Sequence, residues 1–502
     1  MTLLSLLPVN LLSDDVLLAL SVLIFFALLV TKVGYKLGVP SLLLFLGVGM
    51  VFGQDGVGIR FNNFEYVQFV GNIAMIIILL TGGLETNYQS IKPVMREGIV
   101  LSTAGVLLTT AFTGGFIFLI SKWMPQVLPL GLLSCFLLAA AMSSTDSASV
   151  FSILRGNKMK LKNNLDHILE LESGSNDPMA FVLTIILVNI ITATQSANGI
   201  PTDVGAMRVV EVATVTLLMQ LFVGAALGLG MGFLTRWLVR KMQLKNTSMN
   251  AILILSLAFF TSSIAAVLKG NGLLAVYIAA IIIGNDRKLP YKKDIMKFMD
   301  GLTWLVQLLM FLLLGLLVNP SELPSVAVPA LLIALFMSFV ARPVSVFALT
   351  WPFKEMTHQG RAFVSWVGLK GAAPILFSIY PVVAGVPGAR SMFNIVFFIT
   401  LLSLLMQGMT IPKVARKLGV EEVSDPEVET FGIDMPEEMG TLSDYVIQAS
   451  DLANGNTLKD LEMPSGKRVI MIRRGDTNIV PEGNVTLAEG DKLLVLNYTV
   501  SI

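Results

Sequence analysis

Long apolar stretches, separated by short polar or Gly/Pro-containing breaks, run from about residue 15 to about residue 415. A membrane-spanning helix needs about 20 mostly apolar residues, and the breaks divide this region into about thirteen candidate spans. Their approximate centres are residues 25, 47, 75, 107, 140, 180, 222, 257, 277, 307, 338, 370 and 402. The pattern predicts an all-α polytopic membrane domain of about thirteen transmembrane helices.

The apolar pattern ends before the last 80 residues. Residues 421–440 are acidic and contain two prolines, which is typical of a linker. Short alternating runs follow at Asp444–Ser450, Arg468–Ile472 and Lys492–Leu496, with turn signals between them, and predict a small α+β domain. This domain is either a stability and assembly module or a ligand sensor. The predicted domains are a transmembrane domain at 1–417, an acidic linker at 418–440 and a soluble domain at 441–502.

Composition and charge support this division. The chain is 54% hydrophobic and 14% charged, whereas soluble domains carry about 25% charged residues. With thirteen spans and a cytoplasmic C-terminus, the predicted inner loops hold 22 Lys and Arg residues and the outer loops hold 5. The positive-inside rule therefore places the N-terminus outside and the C-terminal domain in the cytoplasm. A net charge of +1 gives no reason to expect a nucleic-acid partner. The apolar composition instead predicts that the lipid bilayer surrounds the first domain.

Some predicted spans contain carboxylates, which cost at least about 2.5–3.5 kcal/mol at the bilayer centre and are kept when paired or used. They are Glu85, Asp146, Glu170, Glu172 and Asp177. Glu85 follows two glycines near the end of a span. It is either part of an ion site or a carboxylate at the membrane surface.

Two other stretches combine carboxylates with hydroxyl groups. Residues 143–149 hold five hydroxyls and Asp146, an oxygen-rich set that suits a cation bound at a broken helix; the alternative is a short inner loop or a capping segment. In residues 170–178, Ser173 and Asp177 lie four apart and share one helix face, and Asn176 can donate a hydrogen bond nearby. The alternative there is an amphipathic helix at the membrane surface.

These residues suggest an exchange mechanism. A carboxylate in a narrow pocket can hold a proton or a cation, but not both, and this competition is sufficient for exchange. We expect Asp177 to be the competing carboxylate, with Asp146 as its close partner. The two basic residues inside spans, Arg342 and Lys370, are counter-charges, of which one pairs with Glu172; alternatively they extend to a membrane surface.

Interrupted segments at 143–149 and 368–374 lie in opposite halves of the predicted membrane domain. Matching interruptions of this kind indicate inverted repeats with a binding site between them. We therefore expect inverted repeats built around broken helices.

Several short motifs, taken together in their order, resemble the cation:proton antiporter superfamily, in its NhaP-like branch of sodium/proton and potassium/proton exchangers. The motifs are Gly83-Leu84-Glu85, Thr145-Asp146, Glu172-Ser173 with Asn176-Asp177, Arg342-Pro343 and Gly368-Leu369-Lys370-Gly371-Ala372. The resemblance covers about residues 10–415. Residues 441–502 resemble the TrkA-C or RCK-C regulatory module of potassium-transport proteins, through the stretches 472–475 and 489–493.

The resemblance implies a secondary antiporter of the bacterial inner membrane that exchanges K⁺ or Na⁺, with K⁺ favoured, for H⁺ by alternating access. It implies a homodimer in which a core domain moves against a dimerisation domain, and a role in cation and pH homeostasis. The implied cation contacts are Asp177, Ser173, Asp146 and Thr145, with Glu85 close by.

The resemblance also pairs Glu172 with Arg342, and the Asn176-Asp177 pair resembles the electroneutral branch. Two departures leave the ion preference open: Lys370 replaces the usual arginine, and Ser147 stands where many relatives have proline.

Two other function classes compete with exchange. A gated potassium channel would carry a filter such as Thr-Val-Gly-Tyr-Gly, which the sequence lacks. An intramembrane enzyme is disfavoured because the sequence has neither His-Glu-x-x-His nor Gly-x-Ser-x-Gly. No cofactor is expected, although a cyclic dinucleotide is a candidate ligand of the C-terminal domain by analogy.

Overall fold

The computed structural model describes residues 14–37, 40–157, 159–196, 206–242, 244–422, 441–452, 455–461, 467–475 and 477–497. These residues belong to two compact units, of which the first ends at Glu422. Most of the predicted linker, residues 423–440, lies outside the described residues.

The first unit is almost entirely helical. Its first helices are α1 Asp14–Leu37, α2 Ser41–Phe52, α3 Phe64–Glu85, α4 Tyr88–Ile91, α5 Met95–Val100, α6 Val106–Trp123, α7 Leu132–Ala141, α8 Ser147–Gly156, α9 Leu165–Ser196 and α10 Ala206–Met242. The later helices are α11 Thr247–Val267, α12 Gly272–Gly284, α13 Lys292–Leu317, α14 Leu323–Phe336, α15 Arg342–Thr350, α16 His358–Trp366, α17 Ala372–Val383, α18 Ala389–Ser403 and α19 Ile411–Leu418. Short π-helical segments at 101–105 and 337–341 join α5 to α6 and α14 to α15 without a break.

The helices confirm the predicted polytopic membrane fold. Within the described chain, eight helices are long and apolar enough to cross a membrane, and five further apolar helices are shorter. Twelve of the predicted span centres fall inside these segments, and the remaining one, residue 370, falls in a break just before α17. Two of the five shorter helices, α7 and α17, border the interruptions that the sequence predicts at 143–149 and 368–374.

Two predicted spans are divided by extended segments. The first break comprises residues 142–146 between α7 and α8, and the second comprises residues 367–371 between α16 and α17. Asp146 begins α8 as its N-cap, because its carboxylate accepts the backbone N–H of Ser149 at 3.0 Å. Pro374 lies in the first turn of α17, where its missing N–H costs the helix nothing.

The helices of the first unit form two packed groups. Helices α1–α3 pack with α10–α13, and we call this set the scaffold group. Helices α4–α9 pack with α14–α19, and we call this set the site group, since it contains both breaks. The groups meet chiefly where α17 contacts α3 and where α9 contacts α10 and α12.

A two-stranded antiparallel ladder closes the first unit. Strand β1, Lys160–Leu161, pairs with strand β2, Glu421–Glu422, and the N–H of Lys162 donates to the carbonyl of Val420 at 2.9 Å. Leu161 and Val420 are both buried in the same apolar cluster. Residues 419–422, which the sequence pattern places in the linker, therefore pack within the membrane unit.

The second unit is a small antiparallel sheet of order β3-β6-β4-β5. Its strands are β3 Thr441–Val446, β4 Lys467–Arg474, β5 Thr477–Ile479 and β6 Lys492–Asn497. Ile472 and Leu493 are fully buried in its core. The Arg474 guanidinium donates to Asp491 and holds the pKa of that buried carboxyl below its usual value.

Candidate functional site

The two breaks cross in the interior of the site group and satisfy each other's backbone groups. The N–H of Asp146 donates to the carbonyl of Leu369 at 2.8 Å, and Lys370 Nζ donates to the carbonyl of Ser144 at 2.9 Å. Extended backbone at membrane depth is tolerated only where such partners exist. The crossing therefore holds four segment ends, those of α7, α8, α16 and α17, around one point.

Asp177 of α9 lies against this crossing. Its carboxylate accepts a hydrogen bond from the hydroxyl of Ser144. One turn earlier, Ser173 Oγ donates to the carbonyl of Thr145 at 2.8 Å and accepts the N–H of Ser147 at 3.0 Å. The stretches 143–149 and 170–178, which the sequence singles out separately, thus form one cluster.

A hydrogen bond between Asn176 and Thr145 also joins α9 to the first break. Asn176 is fully buried, and its Nδ2 donates to Thr145 Oγ1 at 2.6 Å, while its Oδ1 has no partner among the described residues. Beside the cluster lies a cavity of about 420 Å³, and Thr145 is not among the described residues that line it. Its hydroxyl accepts a hydrogen bond from Asn176 and its carbonyl accepts one from Ser173, so Thr145 helps to hold α9 against the first break, and its role as a cation contact stays a prediction.

Contacts with Ser149 and Gly371 fix the carboxylate of Asp146. It accepts the N–H and the hydroxyl of Ser149, and it packs directly on Gly371. A Cβ atom at Gly371 would lie 2.1 Å from Asp146 Oδ2, so only glycine leaves room for the carboxylate. Asp146 is therefore a helix cap, as the alternative reading of this stretch supposed, and it also lines the cavity.

The two basic residues have different partners. Arg342 Nη1 lies 2.5 Å from Glu172 Oε1, and both side chains are buried. Lys370 is also buried, and it contacts the first break rather than Glu172. Neither side chain extends to a membrane surface, so the snorkelling alternative is wrong for both.

A cavity of about 420 Å³ leads to the cluster. Its inner wall includes Asp146, Ser173, Gly174, Asp177 and Tyr277. Exposed Arg155 and Lys160 stand at its mouth, on the side where α3 and α8 end and α9 begins. The structure therefore presents Asp177 to one side of the molecule, the side of the β1–β2 ladder.

Glu85 lies at this mouth and not beside Asp177. It is the last residue of α3, its side chain is exposed, and it faces Asp300 of α13. Glu85 therefore fits parts of both sequence-based interpretations, because it lies at the end of a span and also lines the cavity.

Two site residues were not identified from the sequence. Ser144 belongs to the hydroxyl-rich stretch, and that composition was the available signal for its contact with Asp177. Tyr277 lies on the apolar helix α12, where an aromatic residue normally indicates core packing, so no sequence signal pointed to its place in the cavity.

A polytopic helical domain with two broken helices meeting at buried carboxylates is the architecture of a secondary transporter. Residues 20–417 match the family model described as sodium/hydrogen exchanger, transmembrane, and residues 442–496 match the TrkA-C domain model. The chain belongs to the sodium/hydrogen exchanger family. It is accordingly a cation/proton antiporter with a C-terminal TrkA-C domain, and not a channel or an enzyme.

The chain is similar to several curated antiporters. It is 36% identical over 479 residues to the K(+)/H(+) antiporter NhaP2 of Shewanella baltica, covering 95% of this chain and 80% of that protein. It is 34% identical over 484 residues to the K(+)/H(+) antiporter NhaP of Alkalimonas amylolytica, with the same coverage. A more distant relative is the Probable Na(+)/H(+) antiporter 2 of Methanocaldococcus jannaschii, at 28% identity over 71% of this chain and 82% of that protein.

A solved structure shares the fold. The sodium proton antiporter MjNhaP1 from Methanocaldococcus jannaschii at pH 8 matches with a TM-score of 0.67 and 21% identity, covering 80% of this chain and 99% of that one. At this identity the likeness concerns the fold alone.

Proposed function

We propose that this protein exchanges one K⁺ for one H⁺, with both ions binding in turn at Asp177. Asp146 and Ser173 complete the inner part of the site, and Glu85 attracts cations at the mouth of the cavity. The observation that carries the proposal is the placement of the Asp177 carboxylate at the crossing of the two breaks, at the end of an open cavity.

The charges around the crossing support a stoichiometry of one to one. Three carboxyl groups, those of Asp146, Glu172 and Asp177, stand near two bases. Arg342 neutralises Glu172, and Lys370 offsets one of the other two acids. One negative charge remains, and a single proton or a single monovalent cation neutralises it. Exchange between these two loaded forms moves no net charge, so transport is electroneutral.

The relatives favour K⁺ over Na⁺. The proteins named K(+)/H(+) antiporters match 95% of this chain at 34–36% identity, a coverage that includes the C-terminal domain. The relative named for Na⁺ is less similar and matches 71% of the chain. Sodium is therefore the second candidate cation, at the same site and by the same mechanism.

Alternating access would require the site group to move relative to the scaffold group, so that the cavity closes on one side and opens on the other. We place the protein as a homodimer in a bacterial inner membrane, with the cavity mouth and the C-terminal domain in the cytoplasm. The excess of Lys and Arg in loops on the side of the cavity mouth supports this orientation.

The deciding experiment measures exchange in everted membrane vesicles. The vesicles are energised to form a pH gradient, and potassium, sodium or lithium chloride is added in turn. Potassium is expected to collapse the gradient with the wild type and with Asp294→Asn, a matched change at an exposed carboxylate of α13. Asp177→Asn is expected to abolish the collapse, because an amide there can neither release a proton nor neutralise a cation.

The other outcomes correct separate parts of the proposal. Collapse by sodium alone would replace the proposed cation and keep the mechanism. Exchange by Asp177→Asn at the wild-type rate would contradict the role of Asp177, provided that the variant is present in the membrane at the wild-type level.

For the C-terminal domain we propose a regulatory role, with a cyclic dinucleotide as the ligand to test first. The test adds cyclic dinucleotides to the purified full-length protein and follows both thermal unfolding and the exchange rate. A change in both quantities would support regulation by this ligand class, and no change in either would favour a purely structural domain.

A further inference from the structure

Tyr277 of α12 inserts its ring against α9 at Gly174. A Cβ atom at Gly174 would lie 2.4 Å from Tyr277 Cζ and 2.5 Å from its hydroxyl oxygen, so the ring occupies the space that any larger residue would need. Gly174 stands between Ser173 and Asp177 on the same cavity wall. The contact therefore fixes the phenol group beside the proposed cation site.

The oxygen of Tyr277 is buried, and its lone pairs accept no hydrogen bond from the described residues. The residue is 3% exposed, and its oxygen has no hydrogen-bond partner within the described part of the chain. Thr86 is near enough to share a hydrogen bond with Tyr277, but Thr86 donates its own proton to the carbonyl of Gly82 at 2.8 Å, so only Tyr277 could be the donor in such a bond. The lone pairs of the Tyr277 oxygen are thus unused, and a buried polar group in this state is costly unless a ligand uses it.

A second oxygen at the same place also lacks its usual partner. Pro178 lies inside α9, four residues after Gly174, and proline has no N–H to donate. The carbonyl of Gly174 therefore lacks its helical hydrogen bond. Carbonyl groups released in this way coordinate alkali cations in transporters and channels.

We propose that the hydroxyl of Tyr277 and the carbonyl of Gly174 are ligands of the transported cation, together with Asp177 and Ser173. The ligand class is a monovalent alkali cation, which needs several oxygen atoms to replace its water shell. This inference rests on the proposed cation site at Asp177 and adds the residue that sets the affinity and the ion preference of that site.

The origin of the two ligands gives them different roles. Gly174 belongs to the site group, whereas Tyr277 belongs to the scaffold group. Relative movement of the groups would separate Tyr277 from Asp177 and leave the Gly174 carbonyl in place. The Tyr277 hydroxyl therefore strengthens cation binding in the conformation that is open at the β1–β2 ladder, and selects for the cation whose size fits between the two groups.

The test is Tyr277→Phe, which removes one oxygen atom and keeps the ring packed on Gly174. Exchange is measured in proteoliposomes with K⁺, Na⁺ and Li⁺ over a range of concentrations. We expect the half-saturating K⁺ concentration to rise about tenfold, the effect of losing one contact to a charged group, with Vmax nearly unchanged. The preference among the three cations is expected to change as well. Tyr66→Phe, which removes an exposed tyrosine hydroxyl, is the matched control and is expected to behave as the wild type.

Two results would overturn the inference. One is a Tyr277→Phe variant with wild-type half-saturation and ion preference. The other is a fall in Vmax alone, equal for all cations, which would indicate that Tyr277 serves packing or movement. Asp177→Asn is measured in parallel: if it retains exchange, the cation site itself is misplaced, and if it is inactive while Tyr277→Phe is unchanged, only the role of Tyr277 fails.

Discussion

At the residue scale, Ser144 connects the two charges at the centre of the site. Its hydroxyl donates to Asp177 and its carbonyl accepts from Lys370. The carboxylate that we propose to exchange ions and the nearby ammonium group are therefore held by one residue of the first break. When a proton or a cation neutralises Asp177, the change is transmitted to the first break through the side chain of Ser144.

Competition at Asp177 predicts a specific pH dependence. If a proton and a cation exclude each other, lowering the pH raises the half-saturating K⁺ concentration, by about tenfold per pH unit once the protonated form dominates, and leaves Vmax unchanged. The measurement is the initial rate of K⁺-driven proton movement in proteoliposomes at several pH values. A pH effect on Vmax alone, with constant half-saturation, would show that the ions bind at separate sites.

The ion pair of Glu172 and Arg342 is expected to support the fold and not the exchange chemistry. Replacing Arg342 by Met leaves a buried, unpaired carboxylate, which costs about 3–5 kcal/mol, and is expected to lower the thermal unfolding temperature of the purified protein markedly. The double variant Glu172→Gln/Arg342→Met removes both charges and is expected to recover most of this loss. Equal unfolding temperatures for the single and double variants would contradict the assignment.

At the scale of elements, the β1–β2 ladder connects the start of α9 to the end of α19. Met159, Lys160 and Leu161 line the mouth of the cavity, and the last two form the strand that pairs with Glu421–Glu422. Helix α9 carries Ser173 and Asp177, so the ladder holds the segment that leads into the proposed exchange site. Breaking it should loosen the mouth without touching any group in the cluster.

Lys162→Pro tests this element. Proline removes the N–H that donates to Val420, a bond worth about 1 kcal/mol, and is expected to speed amide exchange about fivefold in residues 159–161 and to reduce transport. Lys162→Ala is the matched control, because it loses the side-chain contact to Gly419 and keeps the backbone N–H. Similar amide exchange and transport in the two variants would show that the ladder bond has no role.

At the scale of the whole molecule, the first unit contains every residue of the proposed site and has its own apolar clusters. A chain that ends after Glu422 keeps the ladder and is expected to fold and to exchange K⁺ for H⁺ in vesicles. A chain that ends after Leu418 loses β2 and the buried Val420, which is worth about 1.5–3 kcal/mol, and is expected to unfold at a lower temperature.

This pair of truncations separates the function of the two units. If the chain ending at Glu422 is inactive although it is folded and inserted, the C-terminal domain is required for exchange and not only for its regulation. Equal stability of the two truncated chains would contradict the structural role given to residues 419–422.

Much of the architecture was predictable because it depends on local properties of the sequence. Span length follows from the number of consecutive apolar residues, and Ser, Gly and Pro content marked both breaks. The strand pattern located the small sheet domain, although the first strand is Thr441–Val446 rather than Asp444–Ser450, since alternation locates a strand better than it fixes its ends.

The contacts at the site were decided by the tertiary structure. Ser144 meets Asp177 across 33 positions and Lys370 across 226 positions, and no spacing rule connects residues so far apart. The sequence by itself determined which acids, bases and breaks the membrane domain must accommodate, because burying charge without a partner is too costly to occur by chance. The tertiary structure shows the ion pair of Glu172 with Arg342 that the family resemblance implied. It alone decided that Lys370 contacts Ser144, that Thr145 accepts a hydrogen bond from Asn176, and that an apolar helix brings Tyr277 to the cavity, because these contacts join residues that are far apart in the sequence.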